Sequence, residues 1–144
     1  MATIEEITKE IVVMVPKLMK GAKSPFLTKS NITTSQMIML VSIHDHAKCK
    51  LKTLVKERSI SPPTATGLID RLVRAGYVKR DSDPEDRRVV IVSLTKKGEK
   101  VVSHFLDTIR DRWKNILVHL TQEEQHQYLA IVKKIVGILS GKEV

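Results

Sequence analysis

Apolar residues in this chain recur mostly at intervals of three, four and seven, the spacing of one face of an α-helix. Ile4, Ile7, Ile11, Met14 or Val15, and Leu18 set that period over residues 4–20. Pro16 falls inside the pattern and is expected to kink the helix or restart it, because proline has no N–H for the helical ladder. Residues 21–31 read as a connection. Thr33 and Gln36 form a T-x-x-Q capping box ahead of a dense apolar run, Met37 to Ile43, and predict a helix buried on most sides. Leu51, Leu54 and Val55 mark a short helix over 51–57, and residues 59–61 turn the chain.

The next segment has firmer punctuation. Ser61 can cap a helix, and Pro62 and Pro63 then fall in a first turn that needs no N–H groups. Ala65, Leu68, Ile69, Leu72 and Val73 form the predicted core face, and Gly76 stops the helix. Tyr77 to Asp81 and Val89 to Leu94 then change to the alternation of strands, with the turn-forming pair Asp83-Pro84 between them. Thr95 opens a long helix whose apolar stripe runs from Val101 to Leu117. Thr121 and Glu124 form a second capping box before a last helix with Leu129, Val132, Ile135, Val136 and Leu139 on one face. The predicted order is four helices, a hairpin, a long helix and a final helix.

Composition narrows the reading. Hydrophobic residues make up 42% of 144 positions but aromatics only 3%, so the core must be built from Ile, Val, Leu and Met. The net charge is +9. Residues 48–88 hold 11 basic and 6 acidic side chains, more than half of that excess in 41 residues. Such a balance favours a polyanionic partner. A single cysteine, Cys49, excludes an intrachain disulfide and fits a reducing compartment. The longest apolar run, Ile11 to Val15, is far too short to span a membrane, and no secretory leader pattern is present, so a soluble cytoplasmic protein is expected.

The concentrated charge surrounds a helix followed by a hairpin, the order of parts in a winged helix-turn-helix. The outer face of the helix presents Pro63, Thr64, Thr66, Gly67, Asp70, Arg71 and Arg74. Its first half is small and hydroxylated, suited to thymine methyls and base edges, and Arg71 and Arg74 suit phosphates. An exposed glycine inside a helix costs about 1 kcal/mol, which close approach to a nucleic-acid backbone would explain. The hairpin loop mixes Asp81, Asp83, Glu85 and Asp86 with Arg87 and Arg88. In an extended segment Asp86 and Arg88 point to one side, so the carboxylate can aim the guanidinium towards a narrow A·T minor groove. The bland alternative is a solubilising loop whose ion pairs are worth little.

The residues Ser61, Thr64, Asp70-Arg71-Leu72, Gly76, Val78, Arg80, Asp83-Pro84, Asp86-Arg87-Arg88, Leu94-Thr95 and Gly98 together resemble the MarR (multiple antibiotic resistance regulator) family over residues 51–98. The resemblance implies a mainly α fold with a small β-hairpin wing, a winged helix-turn-helix flanked by N- and C-terminal dimerisation helices. The implied divisions are 1–32, 33–98 and 99–144. It implies a homodimer on a pseudo-palindrome of double-stranded DNA, commonly a repressor released by a small phenolic or lipophilic effector. The implied DNA-binding positions are Ser61, Pro62, Pro63, Thr64, Thr66, Gly67, Arg71 and Arg74, with Asp86, Arg87 and Arg88 in the wing. Dimerisation is expected through Ile4, Ile7, Ile11, Leu129, Ile131, Ile135 and Ile138. Met14, Met19, Phe26 and Met37 are candidates for an effector pocket. The chain departs from the family at Pro16 and at the Pro62-Pro63 helix start.

Other chemistry is poorly represented. His44, Asp45 and His46 are consecutive, so on a helix they splay and cannot face one metal ion. Cys49 lies between Lys48 and Lys50, whose charge would favour a thiolate and allow thiol-based sensing. A non-specific architectural DNA-binding protein is the other alternative. No phosphate loop, paired carboxylates or nucleophile–base arrangement points to an enzyme, and no cofactor or metal is expected.

Overall fold

The computed structural model describes residues 1–21 and 30–141. Phe26, a candidate pocket residue, lies outside them. Among the described residues there are six helices and three strands. They run α1 (Ile4–Gly21), α2 (Thr34–His46), β1 (Lys48–Lys50), α3 (Leu51–Arg58), α4 (Pro62–Arg74), β2 (Val78–Ser82), β3 (Val90–Leu94), α5 (Lys96–Leu117) and α6 (Gln122–Leu139). The fold is mainly helical with a small antiparallel sheet, as the pattern predicts. By contact density the chain divides into two units, Met1–Phe105 and Leu106–Val144.

Local chemistry sets the element ends. α1 is a single helix with Pro16 inside it, so the proline does not restart the chain as a separate element. At its start Thr3 Oγ1 accepts from Glu6 N at 3.2 Å, while Thr3 N donates to Glu6 Oε2 at 2.8 Å. That reciprocal cap was not among the sequence expectations, though T-x-x-E spells it. The Thr33–Gln36 capping box forms as expected and opens α2. α2 buries Met37, Met39, Leu40 and Ile43, matching its nearly all-round apolar pattern.

The first unit holds the core. α2 supplies four side chains, α3 gives Leu54, and α4 gives Ala65, Ile69 and Leu72. Val78, Val92 and Leu94 come from the sheet and Val102 from α5. Val73 is 37% exposed and does not join them, contrary to expectation. It sits one residue beyond Leu72, about 100° further round the helix, past the edge of the buried stripe.

The sheet has the order β1-β3-β2, all antiparallel. Val78 pairs with Leu94, Arg80 with Val92 and Ser82 with Val90. The outer strand β2 begins one residue later than the pattern suggests, because Tyr77 is used to end α4. β1 was missed entirely. Three residues are too few to display a period of two, and Lys-Cys-Lys has no β-branched residue to mark it. It pairs Cys49 with Val92 and extends the hairpin to three strands.

The glycine of the Leu94-Thr95-x-x-Gly98 sequence has a steric cause. A Cβ on Gly98 would lie 2.1 Å from the Tyr77 carbonyl oxygen, so the first turn of α5 can approach the end of α4 only without a side chain there. Thr95 Oγ1 accepts from Gly98 N at 3.1 Å and donates to Gly76 O at 2.6 Å. One hydroxyl thereby caps α5 and ties it to the turn before the wing.

The second unit contains the latter part of α5 and all of α6. The Thr121–Glu124 capping box forms. Gln125 Nε2 donates to Leu117 O and Leu120 O, at 2.9 and 3.0 Å, holding the turn between the helices. The rings of Trp113 and Tyr128 lie 5.6 Å apart. No residue of α6 is buried in the single chain.

Candidate nucleic-acid interface

The candidate interface is built on α4. Ser61 is its cap, with Oγ accepting from Thr64 N at 3.3 Å and lying 2.7 Å from Thr64 Oγ1. Pro62 and Pro63 occupy the first two helical positions, where their missing N–H groups leave nothing unsatisfied. At the other end Tyr77 N donates to Leu72 O and Gly76 N to Val73 O, both at 3.0 Å, with Gly76 at φ +82°. That is a Schellman ending, and it turns the chain into β2.

The helix therefore has fixed ends and a buried inner face. Ser61, Pro62, Pro63, Thr64, Thr66, Arg71 and Arg74 are all exposed on its other side, and Gly67 is half-buried. A Cβ on Gly67 would meet nothing within 4 Å, so the protein itself does not require glycine there. Asp70, also on this helix, pairs with Arg80 of β2. The contact joins the helix to the wing strand, and sequence spacing did not identify it. The two residues are ten apart across a change of structure, where neither helical nor strand periodicity applies.

The wing loop spans 83–89. Asp83 N donates to Val89 O and Val89 N to Asp86 O, both at 3.0 Å. Glu85 N donates to Asp83 Oδ1 at 2.9 Å, an Asx turn ahead of the tip. Asp86 Oδ1 accepts from Arg88 N at 3.0 Å and from Arg88 Nε at 3.2 Å. The second carboxylate oxygen takes the Arg88 guanidinium at 3.4 Å. Asp86 thus contacts Arg88 as expected, but in a turn rather than an extended segment. The backbone bond bends the chain so that the two side chains meet.

The guanidinium and backbone N–H of Arg88 hold the Asp86 carboxyl below the ordinary carboxylate range, with Lys50 adding a smaller pull. The Arg88 side chain remains 92% exposed. Arg87 is exposed as well.

Cys49 contradicts the thiolate expectation. Its side chain points into the core from β1, whereas Lys48 and Lys50 alternate to the exposed side. Burial pushes its pKa up, and the charge of Glu57 adds to the rise. The two histidines of α2 are also separated by their partners. His44 Nδ1 lies 3.1 Å from Glu99 and His46 Nε2 lies 2.9 Å from Glu57.

The remaining candidates fall outside this module or within its core. Ile4, Ile7, Ile11, Leu129, Ile131, Ile135 and Ile138 are each about half exposed or more. Met14 and Met19 lie exposed on α1, whereas Met37 is fully buried.

Comparison with known proteins decides the family. Residues 32–90 match the model of the MarR family. The chain is 32% identical over 97 residues to the HTH-type transcriptional regulator YfiV of Bacillus subtilis, covering 67% of this chain. It is 28% identical over 109 residues to the HTH-type transcriptional repressor MdtR of the same organism, covering 76% of this chain and 70% of MdtR. The chain belongs to the MarR family. The match spans about three-fifths of YfiV, 61% of its length. In fold, the chain resembles Streptococcus pneumoniae FabT, whose structure was solved in complex with DNA, with a TM-score of 0.84 at 20% identity. That likeness covers 98% of this chain and 100% of FabT. MarR-family transcriptional regulators bind DNA, and the match includes α2, α3, α4, β2 and the wing loop.

Proposed function

We propose that this chain is a homodimeric transcriptional regulator, not an enzyme, that binds a pseudo-palindromic duplex and represses until a small phenolic or lipophilic effector releases it. The observation that carries the reading is α4 and its wing. A helix with both ends fixed presents small hydroxylated residues, then Arg71 and Arg74, to solvent. Beyond it stands an exposed arginine already engaged by a carboxylate.

In this reading residues 61–67 lie in the major groove, with Thr66 contacting base edges or thymine methyls. Arg71 and Arg74 contact phosphate and set the register. Arg88 enters the flanking minor groove with less conformational freedom to lose, because Asp86 already restrains it. MdtR is named a repressor and FabT was solved with DNA, which supports the same use of this fold here. The exposed isoleucines of α1 and α6 supply the apolar surface for a second copy.

The test is binding to genomic fragments against random duplex at rising salt. Sequence-specific regulation predicts that some fragments retain preference as salt weakens every complex. A steep salt dependence, roughly 0.9 per phosphate contacted, without any preferred fragment would identify non-specific binding instead.

A further inference from the structure

A helix that reads a major groove does so with its N-terminal half. In α4 and its cap, residues 61–70 include no Arg, Lys, Asn or Gln. Those are the side chains that take guanine or adenine by two hydrogen bonds. The ionised residue of this stretch, Asp70, pairs with Arg80, which competes with any donor on cytosine. The backbone offers no donor either. Pro62 and Pro63 have no N–H. Thr64 N donates to Ser61 Oγ at 3.3 Å and Ala65 N to Ser61 O at 3.0 Å.

The flanking side chains are turned aside. Pro62 lines a cleft beside α3 and the base of the wing, and Thr64 lines another beside α2. The Thr64 hydroxyl also lies 2.7 Å from that of Ser61. Pro63, Thr66 and Gly67 remain on the side away from Ala65, Ile69 and Leu72. They offer a pyrrolidine ring, a methyl with a hydroxyl, and a bare backbone with open space above it. Arg74 is nearly in line with Pro63 but about 16 Å further along the axis, at the end that leaves the groove. An apolar surface of this kind matches an apolar projection, and in the major groove that projection is the C5 methyl of thymine.

We infer that Pro63 and Thr66 determine sequence specificity by packing against thymine methyl groups, one or more in each half-site, with Gly67 leaving the notch the methyl enters. Hydrogen bonds to guanine do not set the preference at these positions. This inference rests on the DNA-binding reading and narrows it to one chemical group of the duplex.

The experiment uses the genomic fragment preferred over random duplex, synthesised with every thymine replaced by deoxyuridine. That change removes the methyl groups and keeps the pairing. A buried methyl is worth about fourfold, so two half-sites predict affinity lower by roughly tenfold or more. Random duplex with the same replacement is bound as before. Pro63→Ala and Thr66→Ser weaken binding to the thymine fragment and shrink the uracil penalty. Arg88→Ala weakens both fragments alike and keeps the penalty, which separates methyl contact from a change in the minor groove. A third fragment carries 7-deazaguanine in place of guanine, which lacks the N7 acceptor, and is bound within about twofold of the natural one.

Equal affinity for thymine and uracil fragments overturns the inference and leaves sequence-specific regulation standing. A full uracil penalty in both Pro63→Ala and Thr66→Ser, or a loss with 7-deazaguanine as large as that with uracil, overturns it as well. If no fragment is preferred over random duplex, the proposed function fails and this inference fails with it.

Discussion

Arg88 and Asp86 sit two residues apart at the wing and show how one side chain conditions another. An exposed arginine has many rotamers, and fixing it on DNA costs conformational entropy. The Asp86 carboxylate restricts those rotamers beforehand at 3.2 and 3.4 Å. Arg88→Ala is expected to weaken DNA binding about tenfold, most at sites with A·T-rich flanks. Asp86→Ala should weaken it too, although it removes a negative charge near a polyanion. Tighter binding by Asp86→Ala in a gel-shift titration would mean that charge repulsion outweighs the brace. The lowered Asp86 pKa means that the brace is present above the ordinary carboxylate range and is lost only as pH falls through the lowered value. Cys49 is the opposite case. Its flanking lysines were legible, but a three-residue strand that turns the thiol inward was not. Its burial and raised pKa predict slower alkylation by iodoacetamide at pH 8 than that of a free thiol. Equal rates would restore thiol sensing as a candidate.

Among the elements, α4 was the most readable because its signals are local. Ser61, the two prolines and Gly76 each act on the backbone within a few residues. The contacts that fix its surroundings are longer in range, and the sequence did not disclose them. Asp70 with Arg80, and Gly98 under the Tyr77 carbonyl, depend on how the chain returns after the turn. Three glycines separate these causes. Gly98→Ala forces a side chain against a carbonyl oxygen and is expected to destabilise by about 1–3 kcal/mol or more. Gly76→Ala has room, with its nearest neighbour at 3.7 Å, but pays for φ +82° with about 1–2 kcal/mol. Gly67→Ala meets open space and should stabilise the helix by up to about 1 kcal/mol. Chemical unfolding of the three variants checks the order. If Gly67 serves close approach to DNA, the stabilised Gly67→Ala protein binds DNA more weakly. Unchanged affinity would make Gly67 incidental.

At the scale of the molecule, the winged module of the first unit has a core and the outer helices have little. α1 leaves Ile4 81% exposed and α6 leaves Leu139 81% exposed, with no buried residue on α6. The apolar period along these helices was plain in the sequence, but periodicity alone does not say whether an apolar face covers its own chain or another copy. Dimerisation through them predicts that Ile11→Glu and Ile135→Glu, each placing a charge on that surface, shift the protein to monomer in sedimentation velocity and weaken DNA binding. A monomer for the natural protein at micromolar concentration would contradict this assembly. In the proposed assembly two copies of α4 and its wing read one duplex. Hydroxyl-radical footprinting on the genomic fragment that binds most tightly tests it most directly. Two symmetric protected half-sites centred one helical turn apart, ~34 Å, with added protection of the flanking minor grooves, are predicted. A single unsymmetric footprint, or uniform protection along the fragment, would contradict it.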